Sequence, residues 1–154
     1  MLWFAALLLA PVPALQDAPQ QKCSAMDANL PANLAAWTTP GGGDPADLTK
    51  PVTLTARAKE NAPMVPPNAK EGKVTMIPVL IDTPGIYGVA IDQPAWIDVI
   101  PRGAPPLTSV KHGHGPQCST IRKIVRFDLK PGWNYIFLTG IASPSVKVML
   151  VAPE

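Results

Sequence analysis

The side chains best suited to chemistry are concentrated in one short segment, residues 111–118. This segment contains both histidines of the chain, His112 and His114, and one of its two cysteines, Cys118. In an extended backbone, alternate side chains point to the same side, so the two imidazoles would lie close enough to chelate one ion. Imidazole suits Zn, Cu, Fe or Ni, and a free Cys118 thiolate would bias the site towards Cu or Zn. The segment therefore predicts a candidate metal site.

The same segment also fits an ordinary glycine-rich loop between two strands. Two histidines are too few for a zinc site, which uses at least three protein ligands. A third ligand would have to come from a residue whose position the sequence does not give: Cys118, Asp92, Asp98 or Asp128. Ser109 and Ser119 flank the histidines, but no G-x-S-x-G nucleophile motif is present. No complete catalytic set is recognisable.

Basic residues surround the histidines. Lys111, Arg122, Lys123 and Arg126 would form a patch for an anionic ligand or the outer leaflet of a membrane if they gathered on one surface. The alternative is a solvated sheet face. Over the whole chain, 13 basic residues balance 11 acidic ones, a net charge of +2 spread along the sequence. This balance gives no reason to expect nucleic acid as a partner, and the partner is expected to be a protein or a small ligand.

The elements that position this segment have the period of β-strands. From residue 51 onwards apolar and polar residues alternate, and Pro and Gly clusters separate the runs. About eight strands are predicted at intervals of 8–12 residues, with the nearly all-apolar run 74–82 covered on both sides. Leu107 to His112 and Thr120 to Leu129 flank the reactive segment. We predict a single antiparallel β-sandwich over 51–154, jelly-roll-like; a cupredoxin-type barrel and a small cupin remain alternatives.

The residues before this domain differ in composition. Residues 15–50 are rich in Ala, Pro, Gly, Asn and Asp and show no sustained period, although Leu30, Leu34 and Trp37 would share one face of a helical turn. We expect an irregular segment that packs through Trp37. An isolated pair of cysteines in an exported chain is most simply a disulfide, which would join Cys23 to Cys118. A free Cys118 thiol is the alternative.

The first residues predict export. A short apolar run follows Met1, breaks at Pro11 and Pro13, and is too short to span a membrane. Val12 and Ala14 fit a small-residue cleavage site, so residues 1–14 are predicted to be a signal peptide that is removed after Ala14. A positively charged start is missing. The remaining chain of about 140 residues is long enough for one domain with a core, has no predicted transmembrane segment and is expected in the periplasm or outside the cell.

The stretch from Pro84 to Val151 resembles a family of short exported proteins from alphaproteobacteria, many of them labelled homogentisate 1,2-dioxygenase. The residues that carry the resemblance are 95–99, Ser109, 112–116, Cys118, 121–123, Phe127, Leu129, Pro131 and Gly132. The label implies a non-haem iron held by two histidines and a glutamate. In this chain Gln117 and Cys118 stand where the cupin motif places its glutamate, so an oxygenase is the third of our hypotheses.

The first hypothesis is a non-catalytic binding or accessory module without a cofactor. The second is a periplasmic metal-binding protein that uses His112 and His114 to hold Cu or Zn.

Overall fold

The computed structural model describes residues 22–39 and 47–153. The predicted signal peptide, residues 1–14, lies outside the described residues, as does the cleavage site after Ala14. Within the described part of the chain, no helix is both long and apolar enough to cross a membrane.

The chain forms an all-β sandwich, which confirms the predicted fold class. Its described part contains eight strands and two short 3-10 helices, Ala32–Thr38 and Lys59–Asn61. The strands are β1 (Val52–Thr55), β2 (Lys73–Ile81), β3 (Gly85–Ile91), β4 (Trp96–Pro101), β5 (Lys111–Gly113), β6 (Lys123–Leu129), β7 (Gly132–Ile141) and β8 (Ser145–Val151).

Two antiparallel sheets make up the sandwich. One has five strands in the order β1-β8-β3-β6-β5, and the other has three strands in the order β2-β7-β4. β1 pairs with β8, β2 with β7 and β3 with β6, the nested pairing of a jelly roll. The fourth nested pair, β4 with β5, is replaced by a pairing of β5 with β6. The fold is therefore jelly-roll-like, with one strand moved to the other sheet.

The strand period explains how the two sheets share a core. Alternate residues of each strand point inwards, and those of the central strands are fully buried. The side chains at the centre include Val89, Ile91, Val99, Phe127, Leu129, Ile136, Leu138 and Val148. This core holds the strands that carry the candidate site residues.

A second, smaller core lies on the outer face of the five-stranded sheet. The first 3-10 helix places Leu34 and Trp37 three residues apart, on the same side, because a 3-10 helix has three residues per turn. Both pack against Ala90, Met149 and other apolar residues of the outer face. The N-terminal segment thus covers part of the outer face of the five-stranded sheet, which would otherwise be exposed to solvent.

Two strands differ from their predicted extents, and a third differs in how it is covered. β5 covers only Lys111–Gly113, whereas a strand from Leu107 to His112 was expected. The Leu107 amide donates to the Val99 carbonyl of β4, and the chain then crosses to β6, so the predicted strand is divided between two sheets. β6 begins at Lys123 and not at Thr120. The run 74–82 is covered on both sides only in part, because β2 is an edge strand on which Pro78 and Leu80 are exposed.

Candidate functional site

The two histidines lie at the open end of the five-stranded sheet. His112 is opposite Val125 in the β5–β6 pairing, so its side chain starts from the core-facing side of the sheet. Both His112 and His114 are exposed. They line one small cavity of about 290 Å³ together with Arg122, Lys123, Gly113 and residues 94–95. The two histidines thus line one cavity, although His114 lies beyond the end of β5.

Cys118 is not a thiolate in this structure. It forms a disulfide with Cys23 across 95 residues of sequence, with a distance of 5.4 Å between the two Cα atoms. Because its sulfur is already bonded, Cys118 is excluded as the third metal ligand. The expected disulfide is confirmed.

The disulfide is one of several contacts that join the N-terminal segment to the loop before β6. The Asp27 amide donates to the Cys118 carbonyl at 2.8 Å, and the Asp27 carboxylate accepts from the Thr120 amide at 2.7 Å. The Thr120 hydroxyl donates to the same carboxylate and accepts from the buried Trp37 indole N–H at 2.8 Å. These contacts satisfy the Trp37 indole N–H and the Thr120 amide and hydroxyl groups. They also hold the N-terminal segment against the outer face of the five-stranded sheet.

Gly115 has a packing role in the same segment. A Cβ atom at this position would lie 2.1 Å from the Ile121 carbonyl oxygen and 2.7 Å from the Ile121 Cβ. Gly113 has no heavy atom within 4 Å of the corresponding position. The glycines of the segment therefore serve different purposes, and Gly115 is needed because the loop passes close to Ile121.

The candidate third ligands lie elsewhere. Asp92 accepts from the Lys147 amide at 3.0 Å, Asp98 accepts from the Trp96 indole at 3.1 Å, and Asp128 pairs with Lys130 at 3.0 Å. None of the three carboxylates lines the histidine cavity. Within residues 22–39 and 47–153, no group of three or more His, Cys, Asp or Glu is placed to hold a metal ion.

The four basic residues separate into two pairs. Lys111 and Arg126 are opposite each other in the β5–β6 register, on the face away from the main core. Arg122 and Lys123 line the histidine cavity. The Lys123 ammonium donates to the Ala95 carbonyl at 3.0 Å, and burial lowers its pKa below the ordinary value of 10.5. The cavity therefore has two cations in its wall, which oppose binding of a metal cation.

A larger groove, which no sequence pattern predicted, lies at the opposite edge of the five-stranded sheet. It has a volume of about 760 Å³ and runs between β1 and the start of β2. Its lining combines hydroxyl groups, apolar side chains and two cations: Thr38, Thr39, Pro51, Val52, Thr53, Leu54, Thr55, Arg57, Ala62, Pro63, Met64, Val74, Thr75, Met76 and Lys147. No His, Cys, Asp or Glu is among these residues.

One end of this β1–β2 groove is closed by the backbone. The Arg57 amide donates to the Val74 carbonyl at 2.9 Å, and the Val74 amide donates to the Arg57 carbonyl at 2.7 Å. This bridge joins β1 to β2 and thereby one sheet to the other. The alternating threonines of Val52–Thr55 indicated an exposed strand face. The groove, however, depends on which strands lie at the sheet edges, and the sequence does not show the strand order.

No protein-family model, curated protein or solved structure matches this chain.

Proposed function

We propose that the protein is a small exported binding module that performs no chemistry of its own. The observation that carries this proposal is the β1–β2 groove. Its volume of about 760 Å³ lies within the range of about 300–1,000 Å³ that is typical of ligand sites. It is also more than twice as large as the histidine cavity of about 290 Å³.

The lining of the groove supports binding without catalysis. Thr53, Thr55 and Thr75 offer hydroxyl groups, and Met64 and Met76 offer adaptable apolar surface. A threonine hydroxyl is a weak nucleophile unless a base lies beside it. The described lining has no carboxylate or imidazole that would act as that base. Such a surface binds through hydrogen bonds, apolar contact and charge.

The Cys23–Cys118 disulfide supports the location outside the cytoplasm. Disulfides persist in oxidising compartments and are rare where cellular thiols keep cysteines reduced. Both cysteines of the chain are used in this bond. Together with the signal peptide predicted at residues 1–14, this favours a periplasmic or secreted protein.

A ligand panel observed by NMR tests the proposal. The panel consists of acidic, neutral and basic hexapeptides together with acidic and neutral oligosaccharides, each added to the 15N-labelled protein. We expect at least one member to shift the amides of Thr53, Thr55 and Thr75 at millimolar concentration or below, without being converted. Thr53→Tyr places a bulky side chain in the groove and should reduce the response, whereas Thr108→Tyr on an exposed loop should not.

Two results would contradict this proposal. One is a panel that shifts only amides around the histidine cavity. The other is turnover of a panel member by the purified protein, which would show that chemistry occurs.

The second candidate function is metal binding, and the observation that favours it is that His112 and His114 line the same cavity. It predicts stoichiometric Cu or Zn after equilibrium dialysis, lost in a His112→Ala, His114→Ala variant. The disulfide at Cys118 and the cations Arg122 and Lys123 in the cavity wall place it behind the groove. Equal metal content in the wild type and the double variant would eliminate it.

A further inference from the structure

The four sheet edges of the molecule differ in how well they are protected against pairing with another strand. β1 and β5 are the edges of the five-stranded sheet, and β2 and β4 are those of the three-stranded sheet. Exposed edges attract further strands unless they are short, charged, interrupted by proline or covered. Three of the four edges found among the described residues have a charge, a proline or a covering contact.

Each protected edge uses a different device. β5 is three residues long and begins with Lys111. β2 contains Pro78, which has no amide hydrogen to donate. β4 is covered near its centre, because the Leu107 amide donates to the Val99 carbonyl at 2.8 Å.

β1 is nearly as short as β5 but lacks charge, proline and a covering contact. Its four residues, Val52–Thr55, include neither proline nor charge. The Ala56 amide bonds to the Pro144 carbonyl, on the β8 side. Because backbone groups alternate along an antiparallel strand, those of Thr53 and Thr55 point away from β8, into the groove. The next residue in this series is Arg57, whose groups bond to Val74, as the alternation requires. Thr53 and Thr55 therefore offer two amide donors and two carbonyl acceptors with the spacing of a strand.

The charge of the groove selects among extended ligands. Arg57 and Lys147 line it, and no described lining residue is acidic. The Lys147 ammonium lies over the Trp37 ring, 4.4 Å from its centre, and Lys147 is opposite Thr53 in the β1–β8 register. One cation therefore lies beside the open edge and the other at its closed end. An acidic segment complements both.

We infer that the β1–β2 groove binds an extended acidic segment of another protein, which adds to β1 as an extra strand. The inference rests on the proposed binding function and specifies its ligand. Backbone hydrogen bonds to Thr53 and Thr55 supply affinity, and Arg57 and Lys147 supply the preference for carboxylates. A second copy of this chain fits less well, because pairing of two β1 edges would bring the Arg57 and Lys147 charges of both copies together.

The experiment measures binding of a capped hexapeptide, Thr-Glu-Val-Glu-Thr-Glu, by calorimetry and NMR. A counterpart with lysine in place of glutamate is the charge control. The acidic peptide is expected to bind and to shift the Thr53 and Thr55 amides, and the lysine peptide is expected not to. A variant with Arg57→Gln and Lys147→Gln should bind about five- to twentyfold more weakly, from two exposed ion pairs. The control variant, Arg102→Gln with Lys111→Gln, removes the same charge at positions outside the groove. It should change the affinity less than twofold, because distant exposed charges contribute little.

Methylated peptides test the strand geometry itself. One peptide carries N-methyl groups on the glutamate amides and the other on the remaining amides. Neighbouring residues of a strand direct their amides to opposite sides, so one peptide should lose binding and the other should retain it. Equal affinities for the two would overturn strand addition.

The outcomes also separate this inference from the proposed function. If an oligosaccharide shifts the groove amides and the acidic peptide does not, the inference is wrong and the binding module stands. If sedimentation shows a dimer that the peptide cannot dissociate and that Thr53→Pro disrupts, the occupant is a second copy and the inference is overturned. If no ligand reaches the groove, both proposals fail.

Discussion

The two edges of the five-stranded sheet differ in almost every respect. The β5 edge is short and charged, has the chain's histidines, and opens into a cavity of about 290 Å³. The β1 edge is uncharged, has no residue of conventional catalytic type, and opens into a groove of about 760 Å³. The reactive side chains therefore lie at the β5 edge, whereas the larger groove lies at the β1 edge. If the β1–β2 groove binds a ligand as proposed, an unpaired backbone marks the site more clearly than reactive side chains do.

The β5 end is also the more firmly fastened. The Cys23–Cys118 disulfide, the contacts of Asp27 with Thr120 and the close approach of Gly115 to Ile121 all lie within its connecting loop. The β1 edge is held to its own sheet only through β8 and is joined to β2 by the Arg57–Val74 bridge. The histidines and the cysteine thus lie in or beside a loop whose shape is explained by the disulfide, the hydrogen bonds and the close approach at Gly115.

The largest expected effect comes from removing the disulfide. Cys23→Ser with Cys118→Ser should lower the free energy of unfolding by up to about 4–5 kcal/mol, the chain-entropy value for a loop of this length. Urea unfolding measures the change. Amide exchange should accelerate more at residues 118–121 than at Ala56, whose amide bonds to the β8 side.

The wild type in reductant is the control for these serine substitutions and should behave in the same way. Equal acceleration of exchange at both edges would show that the disulfide stabilises the sandwich uniformly, and the contrast between the edges would fail.

A pair of glycine substitutions gives the next largest effect. Gly115→Ala places a Cβ 2.1 Å from the Ile121 carbonyl oxygen, so we expect a loss of about 1–3 kcal/mol in unfolding free energy, as for other overpacked sites. Gly113→Ala meets no heavy atom within 4 Å and should change stability by less than about 0.5 kcal/mol. Thermal and urea unfolding compare the two, and similar losses would show that the close packing at Gly115 is not what requires glycine there.

The smallest effect concerns the pH dependence at Lys123. Burial lowers the pKa of its ammonium in the folded state below 10.5. At neutral pH the group is charged in both states and its desolvation opposes folding. As pH rises through the lowered pKa towards 10.5, the folded protein releases the proton first, so the unfolding free energy rises in that window.

Lys123→Met should lack this rise, while Lys111→Met, at the exposed start of β5, should keep it. Urea unfolding at a series of alkaline pH values measures the difference. The same slope in the wild type and in Lys123→Met would show that the cavity wall is well hydrated, so that Lys123 would oppose a metal ion there less strongly.

Much of the fold follows from the sequence because strand period and turn residues are local signals. The alternation in 121–129 and the turn at Pro131 and Gly132 predicted strands that the structure contains. The Cys23–Cys118 bond followed from the number of cysteines together with the predicted export. The division of the predicted strand 107–112 between two sheets depends on contacts with β4 and β6, which no local pattern encodes.

The candidate site was less predictable for the same physical reason. Alternation predicted His112 and His114 on one side of an extended strand; in the structure both line one cavity, and His114 follows the end of β5. The approach of Arg122 and Lys123 to them depends on the β5–β6 register. The β1–β2 groove depends on which strands have no neighbour, a property of the whole arrangement and not of any segment.

The fastening between Cys23 and Cys118 has a consequence for the order of events during synthesis. A ribosome makes the N-terminus first, so Leu34 and Trp37 emerge well before β8, whose Met149 and Val151 they cover. Cys23 likewise cannot form its disulfide until Cys118, 95 residues later in the chain, has been made. With only two cysteines in the chain, one molecule has no wrong internal disulfide to form. A wrong disulfide therefore requires a thiol from another molecule, and a higher concentration of newly made chains should lower the yield of the correct bond.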